Sequence, residues 1–128
     1  MVYRRGVNIM EEDVFKTVNV GVNYTQWGTI RYYTEWSRFR FAMYNYDDDE
    51  STEYLSNVYV EKDYRGHGIG NGILKMAEDE ASLLGSKYLM LRALKDSWMH
   101  DWYKRHGYED FQIDEDFPEF IWMKKELQ

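Results

Sequence analysis

The chain has no cysteine. Disulfides, thiolate metal ligands and thiol nucleophiles are therefore excluded, and nothing in the sequence calls for an oxidising compartment. It has one proline among 128 residues, within the acidic stretch Asp114 to Glu119, and no linker, repeat or low-complexity tract. A single domain spanning 1–128 is expected, with 44% hydrophobic and 18% aromatic residues to fill one core. Long apolar runs are also missing. No stretch approaches the length of a membrane span, and Met1 to Gly6 is not followed by the apolar segment of a signal peptide, so the reading is of a cytoplasmic protein without a membrane partner. Cationic excess is absent as well, with 16 Lys and Arg against 23 Asp and Glu, a formal net charge of -7. Such a field repels nucleic-acid phosphates and attracts basic ligands.

Metal-ligand spacing is lacking too. Asp47 to Glu50 are four adjacent carboxylates that belong in a solvated loop and do not follow the spacing of a calcium loop. His100 and His106 have no carboxylate or histidine at ligand spacing and read as helix-surface residues, so no metal is expected.

What is present is a pattern of strands followed by a glycine-rich turn. Met10 to Phe15 reads as a short helix with acidic residues at its start. Every second residue of Val18 to Asn23 is valine, the period of a strand with one buried face, and Asn23 to Gly28 reads as a turn. Thr29 to Tyr33 and Trp36 to Tyr46 follow as strands. In the second of these, Phe39, Phe41 and Met43 alternate with Arg38, Arg40 and Ala42, which puts an apolar face opposite a cationic one in an antiparallel meander.

Glu53 to Glu61 is a strand that delivers the chain to Gly66, Gly68 and Gly70. Ile69, Ile73, Ala77, Ala81 and Leu84 then recur at helical spacing up to a stop at Gly85. Lys87 to Leu94 is a further strand, and a helix capped by Asp96 or Ser97 runs to Gly107, with Trp98 and Trp102 packing it onto the sheet or one of them lining an acceptor pocket. Phe111 to Ile113 and Phe120 to Met123 form a closing hairpin. The fold class is α/β, a mixed and mostly antiparallel sheet organised about a central strand, glycine turn and helix.

Glycines between a strand and a helix let successive N–H groups converge on an anion at the helix start. This turn is not a P-loop, because no Gly-Lys-Ser/Thr follows. Nor does it suit a dinucleotide fold, since Leu91 to Leu94 supplies no acidic ribose ligand.

Arg65-Gly66-His67-Gly68-Ile69-Gly70 meets in full the signature Arg/Gln-x-x-Gly-x-Gly/Ala of the GNAT N-acetyltransferases. Asp96, Met99, Trp102, Tyr103, Gly107 and Tyr108 align with that family's second motif, Asn-x-x-Ala-x-x-Leu-Tyr-x-x-x-Gly-Phe. Over about residues 53 to 112 the chain resembles this family. The resemblance implies acetyl-CoA as donor and an amine as acceptor, a cationic one being favoured by the net charge.

By the same resemblance Val58, Tyr59 and Val60 hold the pantetheine arm, Arg65, Gly66, His67, Gly68, Ile69, Gly70 and Asn71 wrap the diphosphate, and Asp96 takes the place of the family's asparagine. Tyr103 is then the proton donor to the departing thiolate. Glu61 is the first choice of general base, with Glu53 or Asp63 acting through water as others, and the Val60 N–H is the oxyanion donor. Where that family places two helices over the acceptor side, this chain has strands, which leaves the side open or completed by a second subunit in a homodimer. Met99 and Trp102 are bulkier than the family pattern. A non-catalytic module that binds coenzyme A or a protein therefore stands as the alternative.

Overall fold

The computed structural model describes residues 15–35, 38–46 and 51–127. One seven-stranded sheet runs in the order β1 (Asn19–Thr25), β2 (Gly28–Glu35), β3 (Phe39–Tyr46), β4 (Thr52–Val60), β5 (Tyr88–Leu94), β7 (Phe120–Glu126) and β6 (Glu109–Ile113). Two helices, α1 (Ile69–Leu83) and α2 (Trp98–Arg105), connect β4 to β5 and β5 to β6. Every neighbouring pair is antiparallel except β4 and β5, which are parallel. The mixed α/β class and the opening meander are as the sequence reading expects.

Alternation along each strand sorts the side chains between two faces. Tyr33, Phe39, Phe41, Met43, Leu55, Leu89, Leu91 and Met123 form the core with Ile69, Ile73, Ala77 and Ala81 of α1 and Tyr103 of α2. Arg40, Tyr59 and Trp122 alternate with core residues and so lie on the opposite face, which no helix covers among the described residues. None of the helices among them is long and apolar enough to cross a membrane.

Of the expected helix Met10 to Phe15 only Phe15 is described, and it is helical; residues 10–14 and residues 47–50 of the acidic loop lie outside the described residues. Other expectations need correction. β1 has no buried face: its register sets Val20 and Val22 opposite Tyr33 and Arg31, yet they are 53% and 48% exposed, with none of the described residues stacked on this edge strand. The strand also runs on to Thr25, so the turn shrinks to Gln26 and Trp27. Leu84 falls just past α1 and is exposed, while Gly85, at φ 86°, ends the helix as anticipated.

His100 is buried, 4% exposed, contrary to its surface reading. Its Nδ1 accepts the Asp96 N–H at 2.9 Å and its Nε2 lies 2.7 Å from Asp110 Oδ1, so the neutral tautomer with hydrogen on Nε2 satisfies both. The partner Asp110 comes from β6, which no helical period reveals.

Candidate active site

β4 and β5 are paired only at Thr52, Glu53 and Tyr54, opposite Tyr88, Leu89 and Met90. Beyond Tyr54 the two strands part, and the last six residues of β4 present one edge to no strand among the described residues. On its other edge β4 carries a bulge: Arg40 faces Tyr59 while Ala42 faces Ser56, and Asn57 takes up the extra residue at φ 54°. Asparagine is one of the few residues that tolerate this region.

The bulge decides how the strand end is aimed. The Glu61 N–H donates to Arg38 O at 2.7 Å, on the β3 side. Alternation therefore turns the N–H and C=O of Val60 towards the parted edge. There the Val60 carbonyl accepts Arg65 Nε at 2.9 Å, while β5 offers no partner to the Val60 N–H.

The chain then makes a short 3₁₀ turn, Lys62–Tyr64, and enters α1 through Gly66 at φ 80° and Gly68 at φ 82°. Gly68 is the N-cap and supplies no side-chain acceptor, and the first turn carries no acidic residue. The first intrahelical bond beyond it runs from Gly72 N to Gly68 O at 3.1 Å. The N–H groups of Ile69, Gly70 and Asn71 are thus left for an anion at the positive end of the helix.

A cleft of about 550 Å³ joins these two features. Val58, Tyr59, Val60, Arg65, Gly66, Gly68, Ile69, Gly70 and Asn71 line it, so nine of the sequence-derived positions are brought together. His67, within the turn, and Asp96, before α2, are not among its lining residues. The remaining wall is Tyr64, Trp98, Met99 and Trp102.

Trp98 stacks on Trp102 with ring centres 6.1 Å apart and stays 66% exposed. Both tryptophans wall the cleft; Trp102 also packs against the core as the sequence reading expects, whereas Trp98 does not. Their helix starts at Ser97, whose hydroxyl accepts the His100 N–H at 3.2 Å. Ser97 rather than Asp96 is the cap, and Asp96 sits at φ 61°.

The two side chains assigned to proton transfer lie off the cleft wall. Tyr103 is 6% exposed, packed in the core with its ring 5.2 Å from Trp102 and 5.8 Å from Tyr108. Burial pushes its phenol up to about 12. Glu61 lines a small hollow of about 120 Å³ with Glu35, Arg38 and Arg40, and its Oε2 is 3.5 Å from the Tyr59 hydroxyl. Glu53 is buried on the helix face and tied to Arg31 at 2.6 Å. Burial raises its carboxyl against the lowering effect of that arginine.

Among the described residues no cluster of three or more His, Asp and Glu could hold a metal ion.

The parted strand edge and the glycine turn thus open into one cleft. The sequence profile described as "Acetyltransferase (GNAT) domain" matches residues 23–110, more than half of the chain, and the chain belongs to this acetyltransferase family.

Solved structures share the fold. A GNAT family acetyltransferase from Elizabethkingia anophelis with acetyl-CoA bound is 17% identical, with 81% of this chain and 79% of that one covered and a TM-score of 0.63. The IAA acetyltransferase from Bacillus cereus is 20% identical, with 81% of each chain covered and a TM-score of 0.65. The PaiA N-acetyltransferase from Thermoplasma acidophilum, in complex with coenzyme A, is 15% identical over 76% of this chain and 59% of that one, with a TM-score of 0.61. No curated protein matches by sequence.

Proposed function

We propose that the chain is an N-acetyltransferase that moves the acetyl group of acetyl-CoA to a primary amine. The observation that carries this is the parted edge of β4, with the Val60 N–H turned into the cleft beside the uncapped start of α1. The 65–71 turn holds the diphosphate through backbone donors, and the β4 edge binds the pantetheine amides as an added strand would.

The thioester carbonyl then meets the Val60 N–H, which stabilises the oxyanion as it forms. The neutral amine nitrogen attacks the carbonyl carbon, the N–C bond forms, the C–S bond breaks, and the sulfur leaves as a thiolate. One proton leaves the nitrogen and one returns to the sulfur. Glu61, one residue beyond Val60, takes the first in this reading, and Tyr103 gives the second. A phenol raised to about 12 keeps its proton throughout the neutral range.

The net charge of -7 draws cationic amines towards the molecule as a whole. A non-catalytic module that binds coenzyme A is the second reading, favoured by the burial of Tyr103 behind the cleft wall. Release of coenzyme A thiol with a panel of amines separates the two. Tyr103→Phe and Glu61→Gln are each expected to lower kcat at least about 100-fold, the usual worth of positioned proton transfer. Turnover that neither variant alters would remove both from the mechanism, and binding without turnover of any amine would leave the module reading.

A further inference from the structure

The bare face of the sheet holds a second concavity, of about 380 Å³, that meets the donor cleft at Val58 and Tyr59, which line both. Tyr32, Thr34, Arg40, Phe41, Ala42 and Asn57 complete its lining. Because β4 has no β5 partner along this length, a thioester lying on its open edge is accessible from the bare face as well as from the helix face.

Arg40 is the only charged side chain among the described residues of that lining. It stands opposite Tyr59 in register, its guanidinium carbon 4.3 Å from the centre of the ring. Cation–π attraction holds a guanidinium over a ring without using up its N–H donors. Arg31, Arg38 and Arg92, on or beside the same sheet, are each paired with a carboxylate, Glu53, Glu35 and Asp114 respectively. Arg40 has no such partner among the described residues, in a chain whose carboxylates outnumber its cations.

We propose that this pocket receives the acceptor, and that the acceptor is a primary amine carrying a carboxylate, which Arg40 binds. The proposal rests on the N-acetyltransferase reading and narrows it. Beyond the pocket, Arg40 also lines the small hollow that contains Glu61. A zwitterion held with its carboxylate on Arg40 directs its amine towards Glu61 and the end of β4. One guanidinium neutralises one negative charge and matches a carboxylate with its paired donors. The overall acidic field does not oppose this, because exposed charges more than about 10 Å away are largely screened and the nearest charge governs contact. The carboxylate is a spectator: the bonds made and broken are those of the transfer already described.

The test compares matched acceptors by coenzyme A release: L-phenylalanine with phenethylamine and L-lysine with cadaverine, with spermidine and phosphoethanolamine alongside. The carboxylate-bearing member of each pair is expected to have kcat/KM higher by about 10- to 100-fold, the worth of a charged hydrogen-bonded pair. Arg40→Ala should collapse that ratio to near one, chiefly through KM, and Arg40→Lys should restore part of it. A thermal shift with acetyl-CoA confirms that each variant is folded. Preference for cadaverine, spermidine or phosphoethanolamine would overturn the proposal while leaving acetyl transfer standing, as would a carboxylate preference that survives in Arg40→Ala. Acetyl-CoA binding with no amine acetylated would overturn both readings.

Discussion

At the scale of single residues, the donor cleft depends on backbone conformations more than on side-chain chemistry. Gly68 sits at φ 82°, where a Cβ costs about 1–2 kcal/mol. Gly68→Ala is therefore expected to lower stability by that amount and to weaken acetyl-CoA binding as the anion site distorts. Gly70→Ala meets only the Trp102 ring at 3.7 Å. It should leave the thermal midpoint of the free protein nearly unchanged, so a rise in its acetyl-CoA KM isolates contact with the ligand.

The buried tyrosines give a second residue-scale prediction. Burial raises Tyr103 to about 12, and burial together with Glu78 raises Tyr108 further. A phenol whose folded value is raised stabilises the fold fully below its unfolded value near 10, and that contribution is lost as pH rises through the folded value. For Tyr103 it amounts to about 3 kcal/mol. Denaturant midpoints should fall between about pH 10 and 12, and Tyr103→Phe should flatten that fall. Residues whose roles are local, such as Ser97, Gly85 and Gly107, could be read from the sequence. The burial of His100 could not, because its partner Asp110 is supplied by another element.

At the scale of elements, β4 and α2 shape the cleft. The period-two pattern of Phe39, Phe41 and Met43 revealed which face of the meander is buried, and the spacing of Ile69, Ile73, Ala77 and Ala81 did the same for α1. The bulge at Asn57 and the parting of β4 from β5 are invisible to such patterns. They depend on how two distant strands are registered, and no residue of β4 announces where its partner will diverge.

For α2, the Ser97 cap and the His100 bonds to Asp96 and Asp110 fix the helix start from which Trp98, Met99 and Trp102 reach the cleft. Ser97→Ala should cost about 1 kcal/mol, the usual worth of an N-cap. His100→Ala should cost about 1–3 kcal/mol by leaving buried polar groups unsatisfied. Both are expected to weaken acetyl-CoA binding together with the loss of stability, measurable by thermal unfolding with and without the cofactor.

At the scale of the whole molecule, both helices lie on one face of the sheet, and the other face is bare among the described residues. The run of strands before the glycine turn is what leads the sequence reading to expect little room for covering helices, and residues 1–14 lie outside the described residues. What composition could not convey is local charge. A net charge of -7 favours a cationic partner, yet the pocket on the bare face presents Arg40. Summed charge describes the far field, whereas specificity follows from the groups that touch the ligand.

Binding of acetyl-CoA to the native state alone must also raise the unfolding midpoint. A ligand at 100 times its Kd adds about 2.7 kcal/mol, several degrees for a domain of this size.

The central claim is that the parted edge of β4 presents a thioester for transfer to an amine. The most direct measurement is incubation of the protein with acetyl-CoA labelled in its carbonyl carbon and a mixture of primary amines, followed by mass analysis of the products. The account predicts that the label appears as an amide on an amine, in step with released thiol. Label that stays on bound acetyl-CoA, or passes only to water, would contradict it.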